Sequence, residues 1–233
     1  MITQREFFNS MAEKWDTVCH HDKDKIQYIL NFLNIQNGAK VLDVGTGTGI
    51  LLPFLAKQVG EQGKVIAIDV SDKMLEVAQR KYSYKNVSFV CDDVLEADLP
   101  IGYFDIIICY SVFPHFQDKQ LAIKAISKYL KPGGMFAICH SQSRDAINNL
   151  HKNVSEAVAE DNLPSIHVIK EYFEDLALET IVEIDNNEMK INISNKHSYK
   201  HYKKKYILKP SHQNLLNDLL TKAGVPVEFI LSK

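Results

Sequence analysis

The amino-acid sequence predicts an α/β fold: a doubly wound, mostly parallel seven-stranded sheet with helices on both faces and an antiparallel last strand. Three observations carry that expectation. From about residue 40, short apolar segments alternate with stretches of helical periodicity, the pattern that right-handed strand–helix–strand crossovers produce. The run Ile106-Ile107-Ile108-Cys109 is continuously apolar, as in a strand covered on both faces of a parallel sheet. A first strand runs into Gly45-Thr46-Gly47-Thr48-Gly49, a turn that leads the chain into a helix at the carboxyl edge of such a sheet.

The elements follow in order. Val41–Val44 reads as the first strand, with a helix over Ile50–Gln58 after the glycine turn. Lys64–Asp69 is the second strand, and Ser71 is placed to cap a helix over Lys73–Lys81, since a serine hydroxyl satisfies a free N–H of the first turn. Val87–Cys91 and Tyr103–Tyr110 are the third and fourth strands. A helix over Leu121–Leu130 is expected to stop at Lys131-Pro132-Gly133-Gly134, before a fifth strand at Met135–His140. Residues 145–180 read as helical and lead into Thr180–Ile184 and Glu188–Ile193, two strands joined by the turn Asp185-Asn186-Asn187.

Two regions lie outside that alternation. Residues 1–35 read as a helical lid with Phe7, Phe8, Met11 and Trp15 on one face, followed by Ile26, Ile29, Leu30 and Leu33. The α/β domain then spans 36–195. Residues 196–233 form a basic extension dense in Lys, His and Tyr, in which Leu215, Leu216, Leu219 and Leu220 mark one more amphipathic helix. This extension has no counterpart in the domain and no role follows for it.

Composition narrows the function. Of 233 residues, 45% are hydrophobic and 24% charged, which supports one full core. A net charge of −2 offers no bulk attraction for a polyanion, which argues against nucleic acid and favours a small molecule. Tyr199, Tyr202 and Tyr206 are interleaved with lysines, a pattern that can stack and neutralise a single strand; the neutral overall balance favours a solvated terminal segment instead. Cys19, Cys91, Cys109 and Cys139 form no CxxC pair, as expected of free thiols in a reducing cytoplasm. Cys19-His20-His21-Asp22 contains ligand types, but adjacent residues rarely converge on one ion and no second pair stands at ligand spacing, so no metal is expected. The N-terminus carries no signal pattern and no apolar run reaches membrane-spanning length, so a cytoplasmic location away from the membrane is expected. No oligomeric state is implied.

The glycine turn carries the chemistry. Its three glycines let the backbone turn tightly and approach a ligand without Cβ interference, and the following helix aims its positive end at the same place. Asp69 ends the second strand about 20 residues past the last glycine, where a carboxylate can accept both hydroxyls of a ribose. A nicotinamide-binding turn reads GxGxxG; here Ile50 occupies the position of its third glycine and Asp43 stands just before the turn. An acidic residue there opposes a pyrophosphate and suits a cationic nucleoside with an amino-acid head group, which describes S-adenosylmethionine.

On these residues the sequence resembles the class I S-adenosylmethionine-dependent methyltransferases, with their Rossmann-like fold, and especially the small-molecule branch that includes the ubiquinone and menaquinone methylases. The resemblance runs over roughly residues 5–193. Phe7-Phe8 and Ala12 through Trp15-Asp16 are similar to the lid of that branch, and Val41–Gly49 to its first motif, in which the acidic residue, here Asp43, organises the methionine end. Ile66–Asp69 resembles the second motif, which implies Asp69 on the ribose with Val70 and Met74 packed near the adenine. Val87–Val94 resembles the third: Asp93 aligns with the carboxylate that accepts from the adenine amino group, Val94 with its backbone donor, and Asp92 replaces a customary glycine. Phe104–Phe116 and Leu130–Gly134 resemble the fourth motif and the turn before strand five. Asp175–Glu179 stands where the family commonly has Ala-Gly-Phe.

The resemblance implies an S-adenosylmethionine-dependent methyltransferase acting on a small-molecule acceptor by in-line displacement, with S-adenosylhomocysteine as product. Cofactor contacts are expected from Asp43, Gly45, Thr46, Gly47, Gly49, Asp69, Val70, Met74, Asp92, Asp93, Val94 and Ser111. Tyr110, Ser111 and His115 follow strand four, and His140 and Ser141 follow strand five. His115 and His140 are the candidates for a base, with Trp15, His20 and Tyr110 beside them as substrate contacts and His21 as a further lid histidine. Three rivals remain: a protein that binds the cofactor without catalysis, an RNA methyltransferase supported by the basic extension, and a nicotinamide-dependent reductase opposed by Ile50 and Asp43.

Overall fold

The computed structural model describes residues 2–196. The strands are β1 (Lys40–Val44), β2 (Lys64–Asp69), β3 (Val87–Cys91), β4 (Phe104–Tyr110), β5 (Leu130–His140), β6 (Leu178–Asp185) and β7 (Lys190–Lys196), and the helices are α1 (Gln4–Met11), α2 (Trp15–Val18), α3 (Lys23–Asn31), α4 (Leu52–Val59), α5 (Asp72–Lys81), α6 (Lys119–Ser127), α7 (Arg144–Val154) and α8 (Ile166–Glu174). They build one seven-stranded, mostly parallel sheet, as the sequence predicts, with the strand order β3-β2-β1-β4-β5-β7-β6. Only β7 runs against its neighbours, pairing antiparallel with β5 and β6.

Alternate residues of each strand serve opposite faces. Leu42, Val44, Ile107, Cys109, Phe136 and Ile138 pack under α6 and α8. Val41, Val65, Ala67, Ile106, Ile108 and Ala137 pack under α3 and α4. Ile106 through Cys109 is apolar without interruption because both of its faces are covered. The N-terminal helices divide accordingly. Ile26, Ile29, Leu30 and Leu33 of α3 and its end belong to the sheet's core, so only the segment before it, opened by a Thr3–Glu6 capping box, crosses in front of the sheet.

Two elements differ from their expectations: residues 145–180, read as helical, break into α7 and α8 around a non-helical stretch at 155–165 and pass into β6 at Leu178, and the end of α6 lies elsewhere than expected. The helix predicted to reach Leu130 ends at Ser127, and Lys131-Pro132-Gly133-Gly134 lies inside β5 rather than before it. The pairing jumps from Phe104↔Leu130 to Ile106↔Met135, so the four residues bulge out while Leu130 keeps its place in the sheet. Burial decides this. Tyr129 and Leu130 are almost wholly enclosed, and the Tyr129 hydroxyl bonds with the carbonyls of Val94 and Ala97, which an exposed helix end could not arrange. The hairpin turn forms as expected: Asn186 Oδ1 accepts the N–H groups of Glu188 and Met189 at 2.8 and 2.9 Å.

The expectations for residues 197–233, including the tyrosines and the leucine-rich helix, lie outside the described residues. Among the described residues no helix is long and apolar enough to cross a membrane.

Candidate functional site

Strands β2 and β3 lie to one side of β1 and strands β4 and β5 to the other. The chain therefore leaves β1 and β4 in opposite directions, and a crevice opens at their carboxyl ends. A cavity of about 600 Å³ occupies it.

The glycine turn forms its floor. Gly45 and Thr46 both donate their N–H to Ile68 O, at 2.9 and 3.1 Å, which ties the turn to β2. Gly45 has φ +66° and a Cβ there would lie 2.3 Å from Val112 Cγ2; no other residue meets both demands. Gly45, Thr46 and Gly47 line the cavity. Gly49 does not; it lies within the turn against Leu52 and Tyr82. Asp43 is also absent from the wall. It is 2% exposed, and its Oδ2 accepts the Thr46 hydroxyl at 2.7 Å from behind the turn. Burial pushes its carboxyl up to about 7, against the Thr46 bond and with the Asp69 charge adding to the rise. Asp43 thus reaches the cavity through Thr46 rather than directly.

Asp69 bridges the turn and the next helix. Its Oδ2 accepts Gly47 N–H at 2.8 Å and its Oδ1 accepts Ser71 N–H at 2.9 Å. Burial raises its pKa, and the two N–H bonds oppose that rise. A carboxylate oxygen accepts more than one hydrogen bond, so lone pairs remain for hydroxyl groups in the cavity. Ser71 caps α5 as predicted, accepting Met74 N–H at 3.1 Å. Beyond β3, Asp92 Oδ1 accepts Asp93 N–H at 2.8 Å and Asp93 Oδ1 accepts Leu95 N–H at 2.9 Å. Asp92, Asp93 and Val94 all line the cavity, as do Val70 and Met74. Ser111, in the same wall, is held at φ +56° with its N–H on Cys139 O at 3.0 Å, a left-handed backbone of the kind that clusters at functional sites.

The segment before α3 covers the opening, with Phe7, Phe8, Met11, Trp15 and His20 among the lining residues. Polar contacts that sequence reasoning did not find hold it down. Thr48 donates to Asp16 Oδ1 at 2.6 Å and Lys81 pairs with Asp16 at 2.5 Å. Ser71 donates to Asn9 Oδ1 at 2.6 Å, and Asn9 donates to Asp72 at 3.0 Å. Of the two lid histidines, His21 makes the inward contact, with Nδ1 3.0 Å from the Tyr110 hydroxyl, which in turn donates to Ser141 Oγ at 2.8 Å. His20 is exposed at the rim.

The two candidate bases differ in kind. His115 is 2.7 Å from Asp161 through Nδ1, and its ring packs against those of Phe8 and His151, each at 5.0 Å. His140 is 2% exposed, and its Nε2 has no partner among the described residues. Burial pulls its pKa down to about 3, helped by Lys190, its neighbour across the β5–β7 pair, and by His115 and His151. The unfolded chain protonates this imidazole near pH 6.5 and the folded protein does not, so stability is complete above that pH and falls below it. Unfolding free energy is expected to drop by about 2 kcal/mol from this residue between pH 7.5 and 5, and thermal melts of His140→Gln should show a correspondingly shallower dependence.

Comparison with known proteins bears on the family and the fold. The family model described as a methyltransferase domain matches residues 35–191. Demethylmenaquinone methyltransferases of Staphylococcus aureus strains JH9 and Newman are each 31% identical over 146 residues, 60% of this chain and 60% of the relative. The chain thus spans about 60% of the length of the curated relatives it matches. An S-adenosylmethionine-dependent methyltransferase from Aquifex aeolicus superposes with a TM-score of 0.64 at 24% identity, covering 80% of this chain and 97% of that one. One from Mesorhizobium loti superposes at 0.59 and 12% identity, covering 73% and 96%. These two likenesses speak for the fold; the sequence match over residues 35–191, on a sheet whose glycine turn and acidic partner sit in one cavity, places the chain in the methyltransferase-domain family.

Proposed function

We propose that the protein is an S-adenosylmethionine-dependent methyltransferase that moves a methyl group to a small-molecule acceptor by in-line displacement. The observation that carries this reading is the pairing, in one cavity of about 600 Å³, of a glycine turn and a ribose-ready carboxylate with an apolar compartment under the lid. The residues present fit the cofactor. Asp69 has lone pairs for the ribose hydroxyls, Asp93 and the Val94 backbone stand at the adenine end, and Met74 and Val70 supply apolar contact there. Thr46, backed by the buried Asp43, offers a polar wall near a positively charged ligand. Ile50, in the place of a third glycine, also lines the cavity, which favours this nucleoside over a dinucleotide.

The cofactor, when bound, supplies a methyl group activated by its attachment to a sulfonium. The chain's own contribution is positioning. Asp69 and the turn fix the nucleoside end, Ser111 and Tyr110 form the wall between the two halves, and the lid excludes water through Phe8 and Trp15. Holding two reactants in line this way lowers a barrier by up to about 7–11 kcal/mol. The name of the Staphylococcus aureus relatives supports a small molecule as acceptor.

Incubation with methyl-labelled S-adenosylmethionine and a low-mass cell extract or total RNA tests the acceptor class. Label in the low-mass fraction is expected. Label confined to RNA would replace this reading with the RNA methyltransferase, and tight binding with no transfer to either would leave a cofactor-binding protein.

A further inference from the structure

The same cavity wall carries a second constellation that positioning alone does not require. His115 closes the 3₁₀ turn Phe113–His115 after β4, anchored by the fully buried Phe113. Its Nδ1 is 2.7 Å from Oδ2 of Asp161, a residue 5% exposed in the segment between α7 and α8. Asp161 is itself fixed, because Gln4 Nε2 lies 2.9 and 2.8 Å from its two carboxylate oxygens. A carboxylate held there accepts Nδ1–H, so the neutral ring keeps its proton on Nδ1 and its lone pair on Nε2. The His115 side chain lines the cavity, and among the described residues nothing bonds to Nε2. The Phe8 ring meets the imidazole edge-on at 5.0 Å and fixes its plane.

We propose that His115, oriented by Asp161, is the general base that takes a proton from the acceptor, and that the acceptor is a hydroxyl compound with an apolar, phenol-like body. This rests on the methyl-transfer reading above. A thioether, a tertiary amine or a carboxylate has no proton to surrender and needs no base. The apolar body follows from the surrounding wall, where Phe116, Ile147, Leu150, Val154 and Val158 line the same cavity. Leu150 and Val154 are 49% and 48% exposed on α7, so the mouth of this half is apolar as well.

The step balances. The acceptor oxygen bonds to the methyl carbon as the carbon–sulfur bond breaks, the electron pair of that bond stays on sulfur, and the hydroxyl proton passes to His115 Nε2 and then to solvent. The groups facing His115 are Asp161, His151, His140 and, from the cofactor side, Asp69, with Lys119 acting on Asp161. His151 is pulled down by burial and bonds through Nδ1 to Asp161 O at 2.9 Å. Asp161 is therefore the charged partner in direct contact.

The test uses the full chain with S-adenosylmethionine and, as acceptors, 2-naphthol, 4-phenylphenol and the already ionised thiolate of 2-naphthalenethiol at pH 8. His115→Gln should lower the phenol kcat/KM by about 100-fold or more, change the thiolate rate less than about threefold and leave S-adenosylhomocysteine affinity within about twofold. Asp161→Asn, at a positioning residue, should lower the phenol kcat/KM by about tenfold while the thiolate rate changes less than about threefold, and Asp161→Glu should restore the phenol rate in part. Equal phenol rates with and without His115 overturn the proposal, as does a protein that binds S-adenosylhomocysteine and methylates neither phenol. Failure to bind S-adenosylhomocysteine at all would instead overturn the cofactor reading beneath it.

Discussion

Asp69→Ala is expected to weaken S-adenosylhomocysteine binding by roughly 10²- to 10⁴-fold, since each hydrogen bond to a charged group contributes about 1.5–3 kcal/mol and a ribose offers two hydroxyls. The same side chain also accepts Gly47 N–H and Ser71 N–H. Its loss therefore frees the turn from α5 as well as removing the ribose partner. Asp69→Asn keeps one acceptor oxygen and should fall between the two. Calorimetric titration reads the affinity, and a melt confirms that the variant is folded. An affinity within about threefold of the unmodified protein would show that the carboxylate is not at the ribose.

The second large effect is on the fold. Gly45→Ala places a Cβ 2.3 Å from Val112 Cγ2 and 2.6 Å from Val112 Cβ, at φ +66°. Left-handed strain and overpacking together should cost about 3 kcal/mol, a drop of roughly 6–12 °C in melting temperature for a chain of this size. Val112→Ala does not relieve it, because the Val112 Cβ itself remains in the way. A Gly45→Ala protein that melts with the parent would mean that this turn is not held as described. Gly47, where a Cβ would meet no atom within 4 Å, should tolerate alanine better despite its φ of +54°.

The parts of this site that the sequence disclosed are those whose demands are local. A turn needing φ above zero and close approach to a neighbour asks for glycine at that position, and Gly45 and Gly47 are written there. Asp69 ends a strand of unmistakable apolar character, so its place at the sheet edge followed from the strand. Lys131–Gly134 misled for the same reason. A proline and two glycines ordinarily stop an element, and only the burial of Tyr129 and Leu130, settled by residues far along the chain, keeps them inside β5 as a bulge.

In the acceptor half Trp15, His20, Tyr110, His115 and His140 were legible and all line the cavity, but the partner of His115 was not. His115 stood after strand four, but Asp161 fell in a stretch read as helical that is the non-helical connection between α7 and α8, and its partner Gln4 is 157 residues away. Asn9 and Asp16 bond to Ser71 and Thr48 across 62 and 32 residues. No spacing rule reaches that far. His20 and His21 are neighbours, and the choice of His21 for Tyr110 is made by the path of the lid.

The most direct test of the central claim is calorimetric titration of the purified full chain with S-adenosylhomocysteine, S-adenosylmethionine and NADH. Binding of the first two with affinity in the micromolar range, and none of NADH, is the predicted result. Binding of NADH alone would contradict it and assign the glycine turn to a reductase.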